Sequence, residues 1–195
     1  MMRSAISILI LSLLISGSCK KDKVDKTYIP AYLEKMVPYK NNQTINFITT
    51  NGGILPTSVT VSRGFTEKSN CVGCAPYAIE EYANYEFKDG VHPFIRISID
   101  VRPNIFMNIF SPADNYQIGN GFDFLTQEGS PQFLCNGPRQ TCLSSIVLNG
   151  TTFTNVLEII SGASGPNDLV KAYYTVEKGL VGFKYGNGYT FSLKE

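Results

Sequence analysis

Apolar and polar residues alternate along most of the chain. The clearest example is the segment 95–101, IRISIDV, in which every second residue is Ile or Val. The pattern recurs in the segments 45–50, 59–62 and 105–109. A period of two places successive side chains on opposite faces of a strand, so these segments are predicted to be half-buried β-strands.

Turn-forming residues separate the predicted strands. Asp89-Gly90 and Asn149-Gly150 are typical of hairpin turns, because these residue types tolerate positive φ. Gly52-Gly53 and the triplet 186–188, GNG, mark two more turns. Short strands joined in this way are typical of antiparallel sandwiches and barrels. We therefore predict an all-β, mostly antiparallel single domain that is sandwich-like or barrel-like.

Two segments depart from the strand pattern. Leu33, Met36 and Val37 have helical spacing, and Pro38 would end a helix there, so we expect at most one short N-terminal helix. The stretch 111–129 is polar and irregular. We expect it to be a long loop.

The N-terminus has the arrangement of a secretory signal peptide. Arg3 precedes an apolar run at 5–16, which is shorter than the roughly 20 residues that a membrane-spanning helix needs. The run ends in LLISGSC, which resembles a lipobox although Ser16 stands where Leu is usual. The resemblance implies cleavage after residue 18 and attachment of acyl chains to Cys19, which would bind membrane lipid. Several acyl chains anchor a protein firmly without a transmembrane helix.

The residues after Cys19 predict a tether followed by one folded domain. Residues 20–26, KKDKVDK, are charged and aperiodic, so we assign 19–27 to a lipidated tether and 28–195 to the β domain. The Cys-Lys-Lys-Asp start, PYK at 38–40 and the ending YY…EKGLVGF at 173–183 resemble small Bacteroidota envelope lipoproteins. The resemblance implies a cell-envelope location, in the outer membrane, and brings no catalytic residues.

Charge and composition exclude one class of partner. The chain has 17 basic and 16 acidic residues, a net charge of +1, and no basic block. Nucleic-acid binding depends on neutralising many phosphates, so we expect no nucleic-acid partner. The chain has 11 Tyr, 12 Phe and no Trp.

Four cysteines remain after Cys19. The spacing of Cys71-Val-Gly-Cys74 suits a type II turn, and Cys135 and Cys142 flank a loop, so we predict the disulfides Cys71–Cys74 and Cys135–Cys142. One alternative is a dithiol redox site at Cys71 and Cys74, with a following helix at 75–85. Another is a zinc site, although the wider spacing of the second pair falls outside the usual ligand pattern.

No catalytic constellation stands out. His92 is the sole histidine and no GxSxG motif occurs. Glu80 and Glu81 would point to opposite faces of a strand. Asp114, Asn115, Asn120 and Asp123 are rich in oxygen but lack the spacing of an EF-hand.

The expected function is therefore a non-catalytic envelope lipoprotein, with no catalytic residues, no metal site and no cofactor. One alternative is a glycan- or small-ligand-binding module in which tyrosines line a concave face. A second alternative is a thiol–disulfide redox protein that uses Cys71 and Cys74. Under these hypotheses, the partner would be a glycan or an envelope protein.

Overall fold

The structure is a computed structural model that describes residues 24–69, 76–90, 92–102, 104–110, 118–135, 137, 139–162 and 164–195. Within this part of the chain there are one helix and twelve strands. They are β1 (Lys26–Thr27), α1 (Ala31–Met36), β2 (Gln43–Thr49), β3 (Ile54–Lys68), β4 (Ala78–Asp89), β5 (His92–Asp100), β6 (Asn104–Phe110), β7 (Ile118–Leu125), β8 (Gln140–Leu148), β9 (Thr151–Ile160), β10 (Leu169–Thr175), β11 (Gly179–Tyr185) and β12 (Thr190–Leu193).

All these strands belong to one sheet, which curls into a half-barrel. The order is β7-β6-β5-β4-β3-β2-β12-β11-β10-β9-β8, and every neighbouring pair in this series is antiparallel. β1 adds a short parallel pairing to β4. The all-β, mostly antiparallel, barrel-like prediction is confirmed. The sandwich form is wrong, because pairing of β2 with β12 joins the two halves into one sheet.

The main core lies on one face of this sheet. Ile97 is fully buried and pairs with Tyr85 on β4 and Met107 on β6. Leu33 and Met36 of α1 are fully buried in the same cluster, as the helical spacing predicts. A helix of six residues is unstable on its own in water. Burying each such side chain contributes about 1.5–3 kcal/mol, which compensates for that instability.

A second apolar cluster lies on the opposite face of the C-terminal strands. Tyr173 belongs to it, whereas its neighbours Ala172 and Tyr174 belong to the main core. Successive strand residues point to opposite faces, so this part of the sheet is buried on both sides. Phe153 and Val156 of β9 join the second cluster, and Asn155 between them has a φ of 54°.

The connection 126–139 carries the chain from β7 at one edge of the sheet to β8 at the other. Thr126 and Phe133 form an isolated antiparallel bridge within it. The Phe133 ring meets Tyr174 edge-to-face with centroids 5.9 Å apart. This contact fixes the connection against the core between the two edges.

Two local predictions are wrong. The expected loop 111–129 contains β7, so Asn120 and Asp123 lie in a strand that pairs with β6. The glycines and polar residues of β7 hide its alternation in the sequence, whereas pairing along β6 stabilises it. The helix suggested at 75–85 is wrong as well, because Ala78–Asp89 is a strand paired on both sides.

The paired structure begins at Lys26, slightly before the predicted end of the tether. No helix in the part of the chain that the structure describes is long and apolar enough to cross a membrane. The predicted signal peptide, Cys19, Cys71, Cys74, Asp114 and Asn115 lie outside the described residues.

Candidate functional site

An open groove of about 650 Å³ lies beside the β8–β9 hairpin. It is lined by the stretches 131–133, 142–144, 152–156 and 175–178. These come from the edge-to-edge connection, the two hairpin strands and the turn between β10 and β11. The groove therefore depends on three segments that are distant in the sequence.

Apolar side chains and a lysine both contribute to the lining of the groove. Phe153 is 3% exposed and belongs to the second apolar cluster. The Lys178 ammonium lies 5.7 Å from the centroid of the Phe153 ring, within the range of a cation–π contact. Lys178 also forms an ion pair with Glu195. These contacts hold the lysine side chain at the rim.

Hydrogen bonds to two buried residues, Thr175 and Tyr39, fix the turn between β10 and β11. The Lys178 N–H donates to Thr175 Oγ1 at 3.1 Å. Gly179 has a φ of 73°, which suits glycine, and the next amide, that of Leu180, donates to the Tyr39 hydroxyl. Burial raises the pKa of Tyr39 well above its usual range, although the Leu180 contact lowers it in part. Tyr39 therefore stays neutral at physiological pH.

A disulfide fixes the opposite wall. The sulfurs of Cys135 and Cys142 are bonded, with Cα atoms 5.4 Å apart, as the predicted pairing of these two residues requires. Cys142 lines the groove. The Gln140 side-chain amide donates to the Leu134 carbonyl oxygen at 2.9 Å, which adds a second link between β8 and the connection. The pairing of Cys71 with Cys74 stays a prediction.

Several neutral polar side chains in the lining are accessible. Ser144, Thr152, Thr154 and Asn155 are all exposed, so their hydroxyl and amide groups can reach a ligand. Such groups both donate and accept hydrogen bonds. Glu177 and Lys178 add one charge of each sign at the rim. The described residues contain no cluster of His, Cys, Asp and Glu that could hold a metal ion.

Two buried tyrosines lie on β10, next to the turn that lines the groove. Tyr174 donates to the Met36 carbonyl oxygen at 2.5 Å, and burial raises its pKa well above the usual value. On the opposite face, burial and then the nearby Glu158 carboxylate raise the pKa of Tyr173 to about 12. These phenols therefore remain protonated and act as structural donors.

The structure does not bring the sequence-predicted candidates together. His92 begins β5, opposite Asp89. Glu80 pairs with Lys68 at 3.7 Å, whereas Glu81 accepts from the Ile29 amide at 3.1 Å. These side chains come from the β4–β5 region, far along the sheet from the groove.

The expectation that tyrosines line a concave binding face finds no support at this groove and stays a prediction. Among the described residues, no tyrosine lines it. Tyr39, Tyr85 and Tyr174 are buried in the core instead. Sequence reasoning missed the groove residues because they form no motif. One available signal was Asn155, a residue type that strands disfavour, in the middle of the strand TTFTNVLEII.

Searches of the chain against protein-family models, curated proteins and solved structures found no match. The functional argument therefore rests on the residues of this chain.

Proposed function

We propose that this protein is a membrane-anchored envelope lipoprotein whose β domain is a non-catalytic binding module. Its ligand is a small hydroxylated molecule of the glycan class, held in the groove beside β8 and β9. The observation that carries the proposal is the groove lining, which combines exposed Ser, Thr and Asn side chains with apolar residues. Such sites combine an apolar surface with a few polar groups that fix the orientation of the ligand.

The dimensions of the groove support a small ligand. Its volume of about 650 Å³ falls in the range of roughly 300–1,000 Å³ that is usual for small-molecule sites. The disulfide at one wall and the Tyr39–Leu180 contact beneath the other hold the site largely pre-formed. A pre-formed site loses less entropy on binding, which in part offsets the small apolar area that a sugar can bury.

Binding is tested with a matched pair of threonine substitutions. Thr154→Val removes a hydroxyl from the groove, whereas Thr141→Val changes another exposed threonine of the same hairpin outside the lining. An oligosaccharide array identifies the tightest glycan, and calorimetry then measures its Kd for each variant. Loss of one hydrogen bond should weaken binding by about 1 kcal/mol, or fivefold, in Thr154→Val only. Absence of any glycan binding, or an equal loss in both variants, would contradict the proposal.

The anchor rests on the lipobox-like sequence ending in Cys19. Intact-mass measurement of membrane-extracted protein should show a chain that starts at Cys19 and carries acyl mass. Cys19→Ser should release the protein from the membrane or block its processing. A soluble mature chain that begins at another residue would disprove this part of the proposal.

A further inference from the structure

The ends of β3 and β4 project beyond the neighbouring strands as a two-stranded ribbon. β2 pairs with β3 as far as Val59, and β5 pairs with β4 from Tyr82 onward. The remaining pairs of β3 with β4 run to Lys68 opposite Ala78. Beyond the end of β5, β1 lies beside β4 and pairs with Ile79 and Glu80.

Three exposed aromatic residues lie on this ribbon and its β1 flank. We call Tyr28, Phe65 and Tyr77 the aromatic patch; their exposed fractions are 60%, 46% and 61%. Tyr28 and Phe65 meet edge-to-face with ring centroids 5.8 Å apart. The Tyr77 amide donates to the Lys68 carbonyl oxygen at 2.8 Å, which places Tyr77 at the end of the ribbon.

Lysines accompany these rings. The Lys26 ammonium lies 5.0 Å from the centroid of the Phe65 ring. Lys68 forms an ion pair with Glu80 at 3.7 Å, and the strand register places both on the ribbon face opposite Phe65. Aromatic rings with an exposed edge, flanked by lysines, are typical of the membrane interface, where the rings enter the headgroup region and the ammonium groups meet lipid phosphates. The combination favours a lipid surface over a purely apolar partner.

The path of the chain from the patch back to Cys19 indicates which lipid surface the patch faces. Residues 20–23, KKDK, lead back from the patch to Cys19 and add three lysines for one aspartate. The segment from Cys19 to Lys26 spans at most about 25 Å when fully extended. An acyl anchor at Cys19 would therefore keep Lys26, at the start of β1, within about 25 Å of the membrane surface, so the aromatic patch can reach it.

We propose that the aromatic patch docks on the headgroup region of the membrane that holds Cys19. The lysines favour anionic headgroups, each contributing attraction close to the surface. Docking adds a second point of attachment to the acyl anchor and gives the domain a fixed face toward the bilayer. The proposal rests on the lipoprotein function proposed above for its anchor, but the patch can be tested separately.

The absence of tryptophan from the chain provides a clean probe. Phe65→Trp introduces a single tryptophan in the patch, which can be excited at wavelengths where the tyrosines do not absorb. Ile54→Trp introduces one at the other end of the same strand, where Ile54 is also exposed at 53%. The two positions are separated by roughly 35 Å along β3, at the usual rise per strand residue.

Both full-length variants are expressed with acylation and reconstituted in vesicles of phosphatidylcholine and phosphatidylglycerol, with or without brominated acyl chains. We expect brominated lipid to reduce the emission of Phe65→Trp at least about twofold, with a blue shift, because an interfacial ring lies near the acyl boundary. Ile54→Trp should keep its emission. Adding Tyr28→Ser and Tyr77→Ser to Phe65→Trp should reduce the quenching.

Intact mass separates failure of the anchor from failure of the patch. If Cys19 carries no acyl mass, the lipoprotein proposal fails; the non-acylated chain, titrated with excess vesicles, then tests the patch alone. Selective quenching of Phe65→Trp in either form supports docking. Equal quenching at both positions, or none at either, overturns it. A blue shift of Phe65→Trp that depends on protein concentration and needs no vesicles also overturns it, because a second copy would then cover the patch.

Discussion

At the scale of single residues, the close contact between Gly179 and Tyr39 fixes the turn that lines one side of the groove. Gly179 lies directly against the hydroxyl end of Tyr39, and a Cβ added there would fall on that hydroxyl group. The φ of 73° at Gly179 is also one that L side chains rarely adopt. The residue therefore has two independent reasons to be glycine, and both act on the turn that bears Glu177 and Lys178.

We expect Gly179→Ala to lower the free energy of unfolding by about 2–4 kcal/mol, from backbone strain together with overpacking against Tyr39. Gly52→Ala is the matched control, because Gly52 has a φ of 79° with open space around its Cα. That variant should lose only the strain, about 1 kcal/mol. Urea denaturation measures both. Equal losses would show that the contact with Tyr39 contributes nothing.

At the scale of elements, the connection 126–139 links the two edges of the half-barrel and also forms a wall of the groove. Phe133 attaches it to the core, and the Cys135–Cys142 bond attaches it to β8. A disulfide restricts the unfolded chain, and a short loop restricts it less than a long one. The bond therefore adds moderate stability and positions the wall.

Removal of this bond should lower the free energy of unfolding by about 2.5 kcal/mol according to the chain-entropy model for so short a loop. We expect this loss in the double variant Cys135→Ala, Cys142→Ala, together with weaker glycan binding because the wall is released. Urea denaturation with and without reductant measures the stability; reductant should not destabilise the double variant through this bond. An unchanged stability would contradict the prediction.

Peptide mapping under non-reducing conditions tests the cysteine pairing itself. We expect the peptide that contains Cys135 to be linked to the one that contains Cys142, and Cys71 to Cys74. A peptide that joins the region 71–74 to the region 135–142 would refute this connectivity.

At the scale of the whole molecule, buried tyrosines on several elements belong to the two apolar clusters. Burial raises the pKa of each member of a group of five, with nearby charges as secondary causes: Tyr39, Tyr85, Tyr173, Tyr174 and Tyr185. Ordinary tyrosine has a pKa of 10.0. The unfolded chain therefore releases these protons at a lower pH than the folded chain.

Below the pKa of tyrosine in the unfolded chain, these groups should not change the free energy of unfolding. Above pH 10, the free energy of unfolding should fall as the pH rises. In that range the folded state binds more protons than the unfolded state, so the free energy of unfolding decreases with pH. Each deeply buried phenol contributes up to about 1.4 kcal/mol per pH unit. Urea denaturation from pH 8 to 11 measures the slope.

A pair of variants checks the cause of this slope. Tyr174→Phe removes one buried phenol and should reduce the slope above pH 10. Ile105→Ala destabilises the same core without removing a titrating group or a hydrogen-bond partner of a tyrosine, so it should lower stability equally at every pH. A stability that stays flat to pH 11 in the parent chain would contradict the assignment of the buried phenols.

The local sequence predicted those elements whose pattern is strong. Ile95, Ile97 and Ile99 alternate without interruption, and β5 lies where they predict it. Leu33 and Met36 predicted the helix that the core buries. β7 was missed because its stabilisation comes from pairing with β6, which its own glycines and polar residues do not reveal.

The sequence by itself determined the all-β class, the short helix and the positions of hairpins such as Asn149-Gly150, because side-chain period and turn chemistry act over a few residues. Only the tertiary structure decided that β2 pairs with β12, that the sheet is single and curled, and that the stretches 131–133, 152–156 and 175–178 meet in one groove. Those features depend on which distant strands share backbone hydrogen bonds and bury each other's side chains, and local periodicity carries no information about that choice.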